Sequence, residues 1–113
     1  MSKAVLIPVL TTETVPGREI ECALGIVRGN TIRARHLGND ILAGLRSLIG
    51  GEITEYTKLI AESREQALER MLVEARELGA DAVINLRFTT STLAAGAAEL
   101  LAYGTAVKLR AVQ

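Results

Sequence analysis

A chain of 113 residues suffices for one domain and is too short for two ordinary ones. Hydrophobic residues at 49% exclude a disordered chain, and the three aromatics, Tyr56, Phe88 and Tyr103, exclude an aromatic platform for stacking bases or sugars. Lys+Arg and Asp+Glu both number 13, so a formal net charge of zero leaves no electrostatic footprint for nucleic acid or an anionic membrane.

Residues 4–12 read as a strand with apolar residues on both faces, Val5, Ile7 and Val9 against Leu6 and Leu10. Pro8 cannot donate to a ladder, which places this strand at a sheet edge. The run is too short for a signal peptide and lacks a small-residue cleavage site, and no stretch approaches a membrane span. Val15-Pro16-Gly17 marks a turn. Residues 19–28 alternate, with Ile20, Cys22, Leu24 and Ile26 expected on one face and Glu19, Glu21, Ala23, Gly25 and Val27 on the other.

The segment 29–38 is polar and irregular. Asn39 and Asp40 form a helix start, followed by Ile41, Leu42, Leu45, Leu48 and Ile49 at helical spacing, and Gly50-Gly51 ends that helix. A second helix is predicted from about residue 53 to Leu78, with Gly79 as its left-handed terminating residue. At roughly 40 Å it overhangs a compact domain of this size, which is roughly 35 Å across.

Residues 81–90 alternate as a strand, with Ala82, Ile84, Leu86 and Phe88 expected to point one way. Residues 91–96 read as a small-residue loop. Residues 97–112 give a last strand, with Leu101, Tyr103, Thr105, Val107 and Leu109 on one face and Ala102, Gly104 and Ala106 on the other. Those small residues let a helix approach the backbone. The order strand, strand, helix, helix, strand, strand predicts a single α+β domain over 1–113, a mainly antiparallel sheet with two helices on one face.

Chemistry-bearing residues are sparse. One cysteine, Cys22, forbids an intrachain disulfide and fits a reducing, cytoplasmic setting. Its apolar same-face neighbours assign it to the core, where a thiol is inert. Cys22 and the single His36 make no metal-ligand set, with no Cys-x-x-Cys pair and no His cluster, so no metal site and no cofactor is expected. Arg28, Arg33, Arg35 and Arg46 lie in a stretch whose acid is Asp40; in a ring, His36, Arg33 and Arg35 would repeat around the axis and could bind a metal or an anion. Ser2, Ser47, Ser63, Ser91 and Thr105 lack a nucleophile-elbow context, and the Gly-Gly pair lacks the spacing of a phosphate loop.

Arg64 falls on the apolar stripe of the long helix, between Ile60 and Ala67-Leu68. It either snorkels or pairs, with Asp81 and Glu52 as candidate partners, and such a pair could fix subunit register.

Several of these residues, taken in order, resemble one family. They are Gly25-Ile26-Val27-Arg28-Gly29, Gly50-Gly51, Tyr56, Arg64-Glu65-Gln66-Ala67, the run from Ala75 through Leu78-Gly79-Ala80-Asp81-Ala82-Val83, and Gly104-Thr105-Ala106-Val107. The likeness is to the YbjQ-like family of small uncharacterised prokaryotic proteins, over about residues 18 to 110. The resemblance implies a dodecin-like fold assembled as a ring of five, and it carries a heavy-metal-binding label. Position by position it implies structural roles: Tyr56 anchors the helix start, Gly79 ends the helix, and Asp81 caps or pairs beside it. The expectation is a non-enzymatic cytoplasmic homo-oligomer, with itself as partner and an unidentified small ligand. A metal- or anion-binding protein is the alternative, and an enzyme with an intersubunit site of Arg64, Asp81 and Tyr56 comes third.

Overall fold

The computed structural model describes residues 7–33, 53–94 and 97–112. In chain order it has strand β1 (Ile20–Arg33), helix α1 (Ile53–Glu77), strand β2 (Ala82–Ala94) and strand β3 (Ala97–Leu109). The strands form an antiparallel sheet in the order β1-β3-β2, and α1 packs on one face. The α+β class and the long helix agree with the sequence. The predicted helix at 41–49 and the Gly50-Gly51 turn fall outside the described residues, so one helix, rather than two, is described on the sheet.

The N-terminal segment departs from expectation. Of the strand predicted over 4–12, residues 4–6 lie outside the described residues, and the remainder makes a single parallel bridge, Val9 to Val83, along the outer edge of β2. Val83 N–H donates to Pro8 O at 2.9 Å, and Leu10 N–H donates to Val83 O at 2.9 Å. Leu86 N–H donates to Leu10 O at 2.9 Å and Asn85 N–H to Thr12 O at 3.0 Å. Pro8 has no N–H to offer, so it supplies a carbonyl at an edge, as its chemistry dictates. The predicted loop at 91–96 is also shortened, because β2 continues to Ala94 and pairs there with Ala97.

The core lies in two layers. Between helix and sheet, Val27, Ala67, Met71, Ala75, Val83, Ala102 and Ala106 are fully buried. On the far face a smaller cluster of Val15, Ala82, Ile84, Val107 and Leu109 is covered by Leu10 and Ile20. The radius of gyration is 17.3 Å, against about 13 Å for a compact domain of this length. Strands of 13 and 14 residues extend well beyond the part of the sheet that residues 7–18 cover.

Two strands change face partway. On β1, register shifts fall between Ile20 and Cys22 and between Ala23 and Gly25, where Gly25 has φ 125°. On β2, the register shifts between Ile84 and Arg87, at Asn85 with φ 55°. Each bulge inserts a residue and reverses the side to which later side chains point. Ile20 therefore packs in the far cluster and Leu24 under the helix, while Ile26 is 68% exposed beside a fully buried Val27. Ala82 and Ile84 likewise part from Leu86. β3 carries no bulge of its own, and its alternation is as predicted, with Ala102 and Ala106 under α1 and Val107 and Leu109 on the far face.

Candidate functional site

The residues from Gly79 to Asp81 form a rigid corner. Ala80 N–H donates to Ala75 O at 3.0 Å and Gly79 N–H to Arg76 O at 2.9 Å, with Gly79 at φ 77°. This paired closure satisfies two carbonyls that a helix end would otherwise leave open, and glycine reaches that φ without a Cβ clash. Asp81 then ties the corner to β3. Its N–H donates to Val107 O at 2.8 Å, and its Oδ2 accepts from Leu109 N–H at 2.9 Å. Lys108 Nζ lies 3.6 Å from Asp81 Oδ1 and donates to Gly79 O at 3.1 Å. The carboxylate, the ammonium and the helix end hold one another, which is a structural use of all three.

A second polar constellation closes the free edge of β1. Gly29 is buried against α1, and a Cβ there would collide with the backbone of Ala67 and Met71. That close approach brings the helix within reach of the strand edge. Arg28 N–H donates to Glu74 Oε1 at 2.7 Å, and Arg70 Nη1 donates to Asn30 O at 2.6 Å. A carboxylate and a guanidinium thus take the places that a neighbouring strand's C=O and N–H would fill. Next to Gly29 on the same face, Thr31 is 3% exposed, and its hydroxyl has no hydrogen-bond partner among the described residues.

The far face of the sheet carries the third. Cross-strand register places Arg28 opposite Tyr103 and Tyr103 opposite Arg87, so a tyrosine ring lies between two arginines in one row. Neighbouring rows add Ile26 with Thr105, and Asn30 with Leu101, where Asn30 Nδ2 donates to Glu99 Oε2 at 2.8 Å. Ile26, Ile32 and Tyr103 are all exposed there. Arg87 Nη1 donates to Leu86 O at 2.8 Å and to Thr11 O at 3.2 Å, which pins the N-terminal segment to this side.

The sequence-predicted residues fare unequally. Gly79 stands at the end of α1, and Asp81 beside it is bonded to β3 and Lys108. Arg64 is a correction: it is exposed, and Ser63 is buried in its place. The buried stripe runs Ser63, Ala67, Met71, Ala75, a spacing of four that drifts about 40° around the helix per step. At the upstream end the contact line has rotated off Arg64. Asp81 is engaged by Lys108, and Arg64 stands midway along α1 whereas Asp81 lies beyond its C-terminal end. Only another chain could bring them together. Tyr56 sits in the first turn of α1, with its side chain outside the described residues; Arg33 ends β1, with its side chain likewise outside. Arg35, His36, Arg46 and Glu52 also fall outside.

Cys22 is the second correction, exposed rather than in the core, because the bulges around it break the face it was assigned to. Among the described residues no group of three or more His, Cys, Asp or Glu is arranged to hold a metal ion. No helix among them is long and apolar enough to cross a membrane. Sequence reasoning missed Arg70, Glu74 and Lys108. Each reads as one more charged surface residue, and only the fold brings it onto a backbone partner.

Comparison with known proteins places these features in context. The model of the YbjQ family, described as "Putative heavy-metal-binding", matches residues 7–110. An uncharacterised UPF0145 protein of Archaeoglobus fulgidus is 62% identical over 110 residues, 97% of this chain and 100% of the relative. Similar proteins from Methanosarcina acetivorans and Thermus thermophilus are 58% and 55% identical over 101 residues, 89% of this chain and 95% and 89% of the relatives. A solved structure of a protein of unknown function from Pediococcus pentosaceus shares the fold, with a TM-score of 0.61 at 14% identity, over 92% of this chain and 98% of that one.

Proposed function

From the premise that this chain belongs to the YbjQ family, we propose that it works as a homo-oligomeric cytoplasmic module without enzymatic activity, a ring of five dodecin-like subunits that assembles or holds a ligand between copies. The observation that carries this reading is the uncovered apolar surface at the far face of the sheet. Ile26 at 68% and Ile32 at 55% exposure stand there beside Tyr103 and a half-buried Leu101. Side chains of that size on neighbouring rows gain from removal from water, at roughly 25 cal/mol per Å². The overlong strands that present them give one subunit more sheet than residues 7–18 cover.

The polar constellations support a structural role. Asp81, Lys108, Glu74 and Arg70 are engaged with backbone atoms. The family's heavy-metal description finds no ligand set among the described residues. Native mass spectrometry tests the reading: a pentamer at micromolar concentration is expected, and a stable folded monomer would overturn it. Loss of a measurable turnover in Asp81→Asn, with the oligomer intact, would instead favour an enzyme.

A further inference from the structure

Both edges of the sheet are partly closed to a partner strand. Residues 8–12 lie along β2, and Glu74 and Arg70 occupy β1 at residues 28–30. The far face also stands open to a second molecule, with Ile26, Arg28 and Ile32 on β1, Leu101 and Tyr103 on β3, and Arg87 on β2. Among the described residues the Arg28 guanidinium has no hydrogen bond or ion pair. Arginine and tyrosine around an apolar centre is the composition of a protein interface.

The same chain carries a surface of opposite sign. Glu62, Glu65 and Glu69 are all exposed and stand at spacings of three and four, on the side of α1 opposite Ala67 and Met71. Like charges at these spacings repel and weaken a helix. None of the three takes part in an ion pair among the described residues. Val73, 41% exposed, continues that side one turn on from Glu69.

We propose that the far face of the sheet seats the outer face of α1 from a second copy, with Arg28 and Arg87 meeting Glu62, Glu65 and Glu69, and Val73 meeting the apolar patch around Tyr103. The inference rests on the oligomeric reading above and specifies its contact. Charge complementarity selects the occupant: the sheet face presents Arg28 and Arg87 against one carboxylate, Glu99, which is tied to Asn30, and the outer side of α1 presents three carboxylates without an ion pair among the described residues against one arginine, Arg76. The two patches are different parts of the chain, so the contact is heterologous and propagates head to tail, which closes a ring when the rotation allows.

Charge reversal tests it by sedimentation velocity, with circular dichroism to confirm folding. Arg28→Glu and Glu65→Arg should each shift the protein from oligomer to folded monomer at micromolar concentration, because like charges brought together oppose the contact. The double variant Arg28→Glu/Glu65→Arg, which restores opposite signs, should recover the oligomer. Retention of the oligomer in both single variants would overturn this contact while leaving the oligomeric reading intact. Dissociation by Arg28→Glu alone, with Glu65→Arg unaffected or the double variant not restored, would overturn α1 as the occupant. A monomeric parent protein would overturn both readings. If Arg28→Glu fails to fold, Tyr103→Ser provides the same test from the centre of the patch, and an undiminished oligomer in that variant counts against the contact.

Discussion

Gly29 shows how one missing side chain shapes its surroundings. Its backbone lies directly under α1, and a methyl group there would strike the Ala67 carbonyl and the Met71 amide. Backbone atoms inside a helix cannot swing aside as a flexible side chain would. Gly29→Ala should therefore destabilise the fold by about 1–3 kcal/mol, read as a lower urea midpoint at constant slope. It should also loosen Arg70 and Glu74 from β1, since both depend on the same close approach. A unique φ is not the issue at this position; space is. This demand for space is not legible in the residues, because a glycine in a strand reads equally as a bulge, a turn or a close contact. Gly79 was legible, since it follows a long periodic stretch and precedes a strand. Arg64 was not, because a helical wheel assumes a fixed buried azimuth, whereas this helix crosses its sheet and the buried line rotates along it.

Among the elements, α1 does two jobs, one with each side of its buried stripe. Its small residues Ala67 and Ala75 let it lie close to the sheet, and Glu74 and Arg70 reach over to the edge of β1. Glu74→Ala should leave the Arg28 amide facing water, raise its hydrogen-exchange rate, and cost about 1 kcal/mol of stability, the net worth of a typical hydrogen bond. A change at Arg28 without a change at amides in the centre of β3 would place the effect at the edge. The helix bounds and β3 were readable because each keeps one period throughout. β1 and β2 were misread for a shared reason. On β2 one inserted residue at Asn85 reverses the later assignments, while on β1 two insertions displace Cys22 and Leu24 and then return Ile26 to the face of Ile20; the amino-acid pattern on either side still looks like one strand. Asn85 offers a retrospective clue, since asparagine tolerates the left-handed region better than other non-glycine residues.

At the scale of the molecule, strands of 13 and 14 residues rise on a core that covers only part of their length. If copies complete that core, folding and association are linked, and the melting temperature should rise with protein concentration. Differential scanning calorimetry over a hundredfold range of concentration would show it, and a constant melting temperature would speak for a self-sufficient subunit. The α+β class was legible from the order and periods of the elements; the exposed apolar patch on the far face was not, because face assignments failed where the bulges lie. The sealed edge of β1 also has a temporal side. Arg28 leaves the ribosome 46 residues before Glu74, and its pairing strand β3 is made later still. At about 5–20 residues per second the nascent strand spends some two to nine seconds with neither guard nor mate. During synthesis, then, β1 stays open to a chaperone, or to a neighbouring nascent chain, until α1 has been made.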